Sequence, residues 1–540
     1  MPCLFLPGER GTSGMSLSVA ISSAISGLRA TQNNIATVSQ NTSNIQTPGY
    51  TRKFVTQEAQ VLTPTTGGVR TGQVQRTFDQ ALYRELLQRE SQAAHLETVS
   101  TTLSSIEKLQ GSPESQTSIS ARLADLRDDF ISLAAKPESV ELQADVVNSA
   151  KVFATSMNTV ANAIIDKRSE TQNAIVDTID TVNGLLTDIA QLDRQIFQTQ
   201  GTQQGTADLQ DRRDLKIRDL AKLVDVVALE RADGTMLLMT RGGATLLDRV
   251  PNYLSTSPSR IAASSYYDPS GAGGIAPIRL GDPNTGVDVT QDLRGGRLGG
   301  LLELRDDILP RMQAELDELA HMVAVRFKGK TTPDDGAPGL TLFTDTDGVS
   351  IPGDVSGPVD YAPPILYVGF ASRIRVGQAV MENAELVRYG DDGAPKVPPA
   401  SGSSPPDPIA GSTIFLKNVV DHVFGTTTVG GSNHIAFNTQ GLGANPRRNL
   451  TSSIPANVAL IDFAQSVLVK QSSEAGQAKA RATEATALKE ELDFRYSDKT
   501  GVNLDEEVVM LTVLQRSYAA SSRVITTVEQ MYDSLFRIAG

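Results

Sequence analysis

From Leu17 onward the apolar positions recur in steps that alternate four and three: Leu17, Ile21, Ala24, Leu28, Thr31, Ile35, Val38, Thr42 and Ile45. This is the narrow seam of a coiled coil, and at about 1.5 Å per residue it predicts a helix about 43 Å long. The other face is Ser, Gln, Asn and Thr with almost no charge, which suits contact with other polar surfaces. The far end of the chain repeats the pattern at Leu511, Leu514, Tyr518, Ser521, Ile525, Val528, Tyr532 and Leu535. Asn503 is placed to cap that helix, Glu506 stands at its third position, and Asp505 and Glu507 add negative charge where the helix dipole favours it. Neither helix buries its stripe alone, so the two are expected to pack on one another and bring the chain ends together. Charge agrees: residues 15–60 carry Arg29, Arg52 and Lys53 against Glu58, and residues 501–540 carry three Arg against five acids.

The first helix meets Thr47-Pro48-Gly49-Tyr50. Proline pushes Thr47 out of the helical region, fixes its own φ, and Gly49 permits the positive φ of a type II turn. "YTRKFVTQEAQV" then reads as an extended segment. Between Gln73 and Gln200 the only helix breakers are Gly111, Pro113, Pro137 and Gly184. Long helices are therefore predicted, broken near 111–113 and 136–138. Ile175, Ile179, Val182, Leu186, Ile189 and Ile196 share one helical face. "VVALERADGTMLLMT" reads as two strands around an Asp-Gly turn, and helix returns over 300–328 and from about Pro455. Residues 331–450 hold 13 of the 26 prolines, and their short apolar runs "PILYVGF" and "STIFLKNVV" suggest an inserted β-rich domain with long loops.

The expected fold is mainly α with inserted β-rich domains. Residues 15–55 with 500–540 form a terminal helical coiled coil; 56–226, 300–328 and 451–499 form a helical-bundle rod; 227–299 and 329–450 form the outer β domains. Met15 opens a far more regular segment than the one before it, so residues 1–14 read as a start-site extension.

At 540 residues the chain is too long for one domain. A net charge of -13 and a pI near 5.0, with no Lys/Arg-rich run, exclude a nucleic-acid groove. Cys3 is the only cysteine, which rules out an intramolecular disulfide and a thiolate metal cage. The first residues lack a basic region and an apolar core, so no secretory signal peptide is read, and no apolar run is long enough for a membrane span.

Candidate chemistry is thin. His95, His321, His422 and His434 are scattered and read as surface or loop histidines, not zinc ligands. Asp345-Thr346-Asp347-Gly348 begins like a calcium loop, but no glutamate follows at the twelfth position, so it reads as a turn. "RGGRLGG" (294–300) lacks a P-loop lysine and reads as a flexible turn before a helix. No Gly-x-Ser-x-Gly, His-Glu-x-x-His or Ser/His/Asp arrangement is present. No catalytic residue, cofactor or metal is expected.

The polar-faced helix ending in Asn41, Asn44, Thr47, Pro48, Gly49 and Tyr50 resembles the signature of bacterial flagellar rod, hook and hook-associated axial proteins. Three further stretches, 209–226, 295–328 and 500–540, look like the hook-associated protein 1 family, the hook–filament junction proteins. Thr42, Ser43 and Gln46 depart from the family's usual Ile, Ala and Asn. The resemblance implies a structural axial protein that polymerises through its terminal helices. The expected interface is Leu17, Ile21, Leu28, Ile35, Val38, Ile45, Leu511, Leu514, Tyr518, Ile525, Val528, Tyr532 and Leu535. Implied partners are further copies in a helical ring, the hook protein, a second hook-associated protein on the filament side, and an export chaperone on the C-terminal helix. The implied location is the extracellular flagellum, reached by type III export without a cleaved signal. Thr31, Thr42 and Ser521 weaken the seams, so the ends of a free monomer are expected to order on assembly. A different class of protein, a secreted coiled-coil effector or adhesin binding through 331–450, is the alternative.

Overall fold

The computed structural model describes residues 13–62, 65–111, 115–200, 205–329, 339–353, 363–391, 413–428 and 430–539. Most of the start-site extension, together with parts of the expected outer domain, lies outside the described residues. The chain divides into two compact units. Unit 1 comprises residues 1–90, 182–253 and 486–540, and unit 2 comprises 91–181 and 254–485.

In unit 1, helix α1 (Ser13–Ser43) is followed by a hairpin of β1 (Lys53–Leu62) and β2 (Thr65–Arg76). The strand reaches Arg76, so residues 73–76, expected as the start of a long helix, belong instead to β2. Helices α2 (Gln80–Gln110), α4 (Val140–Gln200) and α11 (Leu460–Thr500) contribute residues to both units, whereas α5 (Ala207–Leu223) and α12 (Leu504–Ala539) belong to unit 1. Strands β3 (Val226–Glu230), β4 (Met236–Thr240), β5 (Thr245–Asp248) and β6 (Val250–Pro251) form an antiparallel sheet in sequential order. The expected Asp-Gly turn joins β3 to β4. Gly234 has φ +75° and donates its N–H to the Arg231 carbonyl at 2.9 Å. Met236, Leu238 and Thr240 alternate into the buried face.

In unit 2, Ser118 caps α3 (Ile119–Ala135) by accepting the Ala121 N–H at 3.2 Å. Leu123, Leu126, Phe130 and Leu133 then fall on one fully buried stripe. They pack with Val146, Ala150, Phe153 and Met157 of α4 and with α7 (Leu309–Lys328), each large side chain contributing about 1.5–3 kcal/mol of burial. Helix α6 (Gly296–Glu303) continues through a π turn, Leu304–Ile308, into α7. This corrects the reading of 294–300 as a flexible turn, since Gly296–Gly300 are helical. A Cβ on Gly300 would lie 2.7 Å from the His95 carbonyl oxygen and 3.2 Å from Thr98 Cβ, so the glycine permits close helix approach.

Mainly helical architecture with inserted small sheets holds, but the two apolar runs expected to supply strands in 331–450 do not form them. "PILYVGF" becomes 3-10 turns at Pro364–Tyr367 and Phe370–Ser372, and "STIFLKNVV" becomes α10 (Ile414–Asn418) with a π turn over Val419–Val423. Two further short helices are α8 (Gln378–Glu382) and α9 (Leu386–Tyr389). The remaining strands are two residues each: β7 (Leu254–Ser255) with β10 (Arg279–Leu280) and β11 (Val287–Asp288), β8 (Tyr266–Tyr267) with β9 (Gly274–Ile275), and β12 (Phe343–Thr344) with β13 (Arg375–Val376). Tyr367, Phe370, Phe415, Leu416, Phe424 and Phe437 are buried in the same core as α3 and α7. Short apolar runs of this kind look alike as strand or helix; the shape of the helical core decided which they became.

Candidate functional site

Helix α1 packs along α12 on one side and against the β1/β2 hairpin on another. Its buried positions therefore form a wider face than the seam alone, with Ala30, Thr31, Thr37, Val38 and Asn41 all buried. Ile21, Leu28 and Ile35 are half-buried, and the Leu17 side chain lies outside the described residues. Ile45 falls beyond the helix end and is exposed. On α12, Val528 is buried and Leu511, Leu514, Ile525 and Tyr532 are half-buried, while Tyr518 and Leu535 are exposed. Gly27 stands opposite Ser521, where a Cβ on Gly27 would be 4.0 Å from the serine Oγ. Asn503 caps α12 by accepting the Asp505 N–H at 3.0 Å.

The turn after α1 is built as its residues dictate. Asn44 Nδ2 returns to the Gln40 carbonyl at 2.9 Å, and Thr47 Oγ1 donates to Asn44 Oδ1 at 3.2 Å. The Tyr50 N–H closes the turn on the Thr47 carbonyl at 3.1 Å, with Gly49 at φ +77°. A Cβ at Gly49 would lie 3.3 Å from Leu215 Cδ1, so the turn also packs tightly on α5.

Asn41 is the centre of a buried polar network. Its Oδ1 accepts from the Lys53 N–H and the Tyr50 hydroxyl, both at 3.0 Å, and its Nδ2 donates to the Lys53 carbonyl at 2.9 Å and to Glu507 Oε2 at 3.2 Å. Glu507 is buried, and its other oxygen accepts from Arg52 Nε at 2.7 Å. The Arg52 N–H donates to the Thr500 carbonyl at 2.8 Å. This brings Asn41, Tyr50 and the start of α12 together; Thr47, Pro48 and Gly49 shape the turn and are themselves exposed.

The same network reaches α5, which the sequence reading missed. Asp208, Asp211 and Asp214 recur at three-residue spacing and share one face of that helix. Asp211 accepts from Thr51 N at 3.2 Å and Thr51 Oγ1 at 2.6 Å, and Lys53 Nζ lies 3.3 Å from it. Lys53 also pairs with Asp208, and its Nζ lies 3.7 Å from the Tyr50 ring centroid. Arg76 bridges Asp211 at 3.3 Å and Asp214 at 2.7 Å. Arg213, from the same helix, donates to Asp193 at 3.1 Å and to the Gly234 carbonyl at 2.6 Å. Burial pushes the Tyr50 hydroxyl well above its usual range, reinforced by Asp208, Asp211 and Glu507. The signal was the aspartate spacing inside "DLQDRRDL", a stretch read for its family resemblance and as part of the helical rod.

This arrangement holds elements in place by paired buried charges and hydrogen bonds. One histidine of unit 2 corrects the sequence reading: His321 is buried on α7 and stacked on Tyr367 at 4.0 Å, whereas His434 is a loop histidine, buried, that bonds the His422 carbonyl at 2.6 Å. Asp345–Gly348 forms the expected turn, with Asp347 accepting from the Val349 and Ser350 N–H groups at 2.9 Å. Among the described residues no group of three or more His, Cys, Asp or Glu is arranged to hold a metal ion, and no helix is long and apolar enough to cross a membrane.

Residues 103–343 match the family described as Flagellar hook-associated protein FlgK helical domain, and residues 496–538 match Flagellar basal body rod FlgEFG protein C-terminal. Flagellar hook-associated protein 1 of Salmonella typhimurium is 27% identical over 340 residues, covering 61% of this chain and 60% of that protein. The match thus spans less than two thirds of that relative. Flagellar hook-associated protein 1 of Bacillus subtilis is 22% identical over 551 residues, covering 95% of this chain and 96% of that protein. Among solved structures, the flagellar hook junction protein FlgK from Burkholderia pseudomallei is similar at 22% identity and a TM-score of 0.39, covering 50% of this chain and 45% of that chain.

Proposed function

We propose, starting from the chain's relationship to flagellar hook-associated protein 1, that it is a structural axial component of the bacterial flagellum. It forms the junction between hook and filament by polymerising through its paired terminal helices. The observation that carries this reading is the Bacillus subtilis relative of that name, whose alignment spans 95% of this chain.

The terminal helices supply the physical means. Helix α12 packs its seam only partly against α1, and Val509, Val513, Val524, Met531, Phe536 and Ile538 remain exposed on it. Phe536 and Ile538 are 73% and 84% exposed. An unpartnered stripe of that size favours further packing, and helical symmetry repeats each weak contact along a polymer. The seam residues Ile21, Leu28, Ile35, Val38, Leu511, Leu514, Ile525, Val528 and Tyr532 hold the pair together. Leu17, Ile45, Tyr518 and Leu535 belong to the assembly face in this reading. The partners are further copies, the hook protein, a second hook-associated protein and an export chaperone on α12. The protein works by position and contact, without catalysis, in the extracellular flagellum after export without signal cleavage.

Complementation of a strain lacking this gene tests the reading. The full chain should restore filaments, and a chain truncated after Asp498 should leave hooks that shed filament subunits into the medium. Filaments growing normally without the protein would remove the junction role.

A further inference from the structure

The α1/α12 seam repeats every seven residues on both helices. A slide of one heptad, about 10 Å at 1.5 Å per residue, again sets seam position against seam position. Small residues such as Ala24, Gly27 and Ser521 offer few knobs to resist that slide. A periodic apolar seam therefore does not define its own register.

Glu507 lies four residues before Leu511 and continues the same alternation, so it is a charged residue at a seam position. Among the described residues it is the only buried charged side chain of α12. Its two oxygens accept from Asn41 Nδ2 at 3.2 Å and Arg52 Nε at 2.7 Å. Gly27 and Ser521 each lie fourteen residues from Asn41 and Glu507, in opposite chain directions, so the helices run antiparallel in one register over two heptads. We propose that Glu507, with Asn41 and Arg52, is the register determinant of the terminal coiled coil.

The alternatives fail for a stated reason. Sliding one heptad toward the start of α1 sets Glu507 opposite Asn34, which keeps an amide but loses Arg52. Sliding the other way sets Glu507 opposite Pro48, past the helix end. Either leaves a carboxylate short of donors, and a buried charge without its partner is strongly unfavourable. A polar residue at one seam position setting register is an established use of such groups in coiled coils. The inference concerns the monomer and stands apart from the flagellar reading.

The test uses the purified full chain in a Cys3→Ser background with three cysteine pairs. Gly27→Cys with Ser521→Cys reports the observed register; Gly27→Cys with Leu514→Cys or Val528→Cys reports the two slid ones. The parent should form the first crosslink at least about tenfold faster than the others, and Asn41→Leu with Glu507→Leu should remove that preference while helical circular dichroism persists. Arg52→Met should raise the crosslink through Leu514, the slide that costs only the Arg52 contact. Retention of the tenfold preference in both variants would overturn the proposal and assign register to the seam. So would slid crosslinks already dominant in the parent, or loss of helix in the double variant with Arg52→Met unchanged.

Discussion

Arg76 and Asp214 meet at 2.7 Å with both side chains less than a tenth exposed. The arginine closes the hairpin onto α5, and it also reaches Asp211 at 3.3 Å. Burial raises the Asp214 carboxyl against the pull of Arg76 and Arg213. Arg76→Ala leaves that carboxylate with Arg213 alone at 3.5 Å, and breaking a buried pair from one side costs about 3–5 kcal/mol. Urea unfolding should show a transition shifted by that amount in a probe placed on α5. An unchanged transition would mean that the Arg76 pairs contribute nothing to holding the hairpin on α5.

Asp317 and Glu318 sit side by side on α7, both buried. Asp317 accepts the N–H groups of Gly369 at 2.7 Å and Ala371 at 2.9 Å; Glu318 accepts from the Tyr367 hydroxyl and from the Asn438 N–H at 2.7 Å. Burial pushes Asp317 up to about 6 and Glu318 up to about 7. A carboxyl raised by folding holds its proton more tightly in the folded state, so its contribution to stability is complete below about pH 4 and is lost as pH rises through 6 to 7. Glu318→Gln removes one of these titrations. Between pH 4 and pH 8 the parent should lose roughly 2–3 kcal/mol more stability than this variant, read by denaturant unfolding at each pH. Parallel pH profiles for the two proteins would show that folding does not raise the Glu318 carboxyl.

Gly300 should not accept a methyl group. Gly300→Ala drives a Cβ into the His95 carbonyl, which is helix backbone and cannot swing aside. Overpacking of this kind costs about 1–3 kcal/mol, so the thermal transition of unit 2 should fall by several degrees. Gly476→Ala, at a helical glycine of α11 with nothing within 4 Å of a Cβ, is the control and should leave that transition in place.

Phe424 belongs to the segment expected as an outer domain, yet its ring lies 5.6 Å from Phe327 and 6.4 Å from Phe130. Phe424→Ala should destabilise the helical core by about 3–5 kcal/mol. Calorimetry would show the main transition of unit 2 moving down as one peak. A separate small transition moving alone would place the segment outside that core.

The linear sequence determined what depends on neighbours within a turn or two. Pro48 and Gly49 end α1 by their own backbone preferences, Asn503 caps α12, and the spacing Ile175, Ile179, Val182, Leu186 predicts a helix face that is buried throughout. The breaks around 111–113 and 136–138 were legible for the same reason, and so was the Asp233-Gly234 turn. What failed locally was the short apolar run: "PILYVGF" and "STIFLKNVV" contain too few residues for a period to show, and their helical turns pack against α7 and α3 in the buried core. The polar hub was beyond reach for a different reason. Asn41, Lys53, Arg76, Asp211 and Glu507 are ordinary surface residue types in sequence, and only folding removes water from them and makes each the other's required partner. Burial of a charge is a property of the assembled chain, so the pairing of residues 466 positions apart was decided by tertiary structure alone.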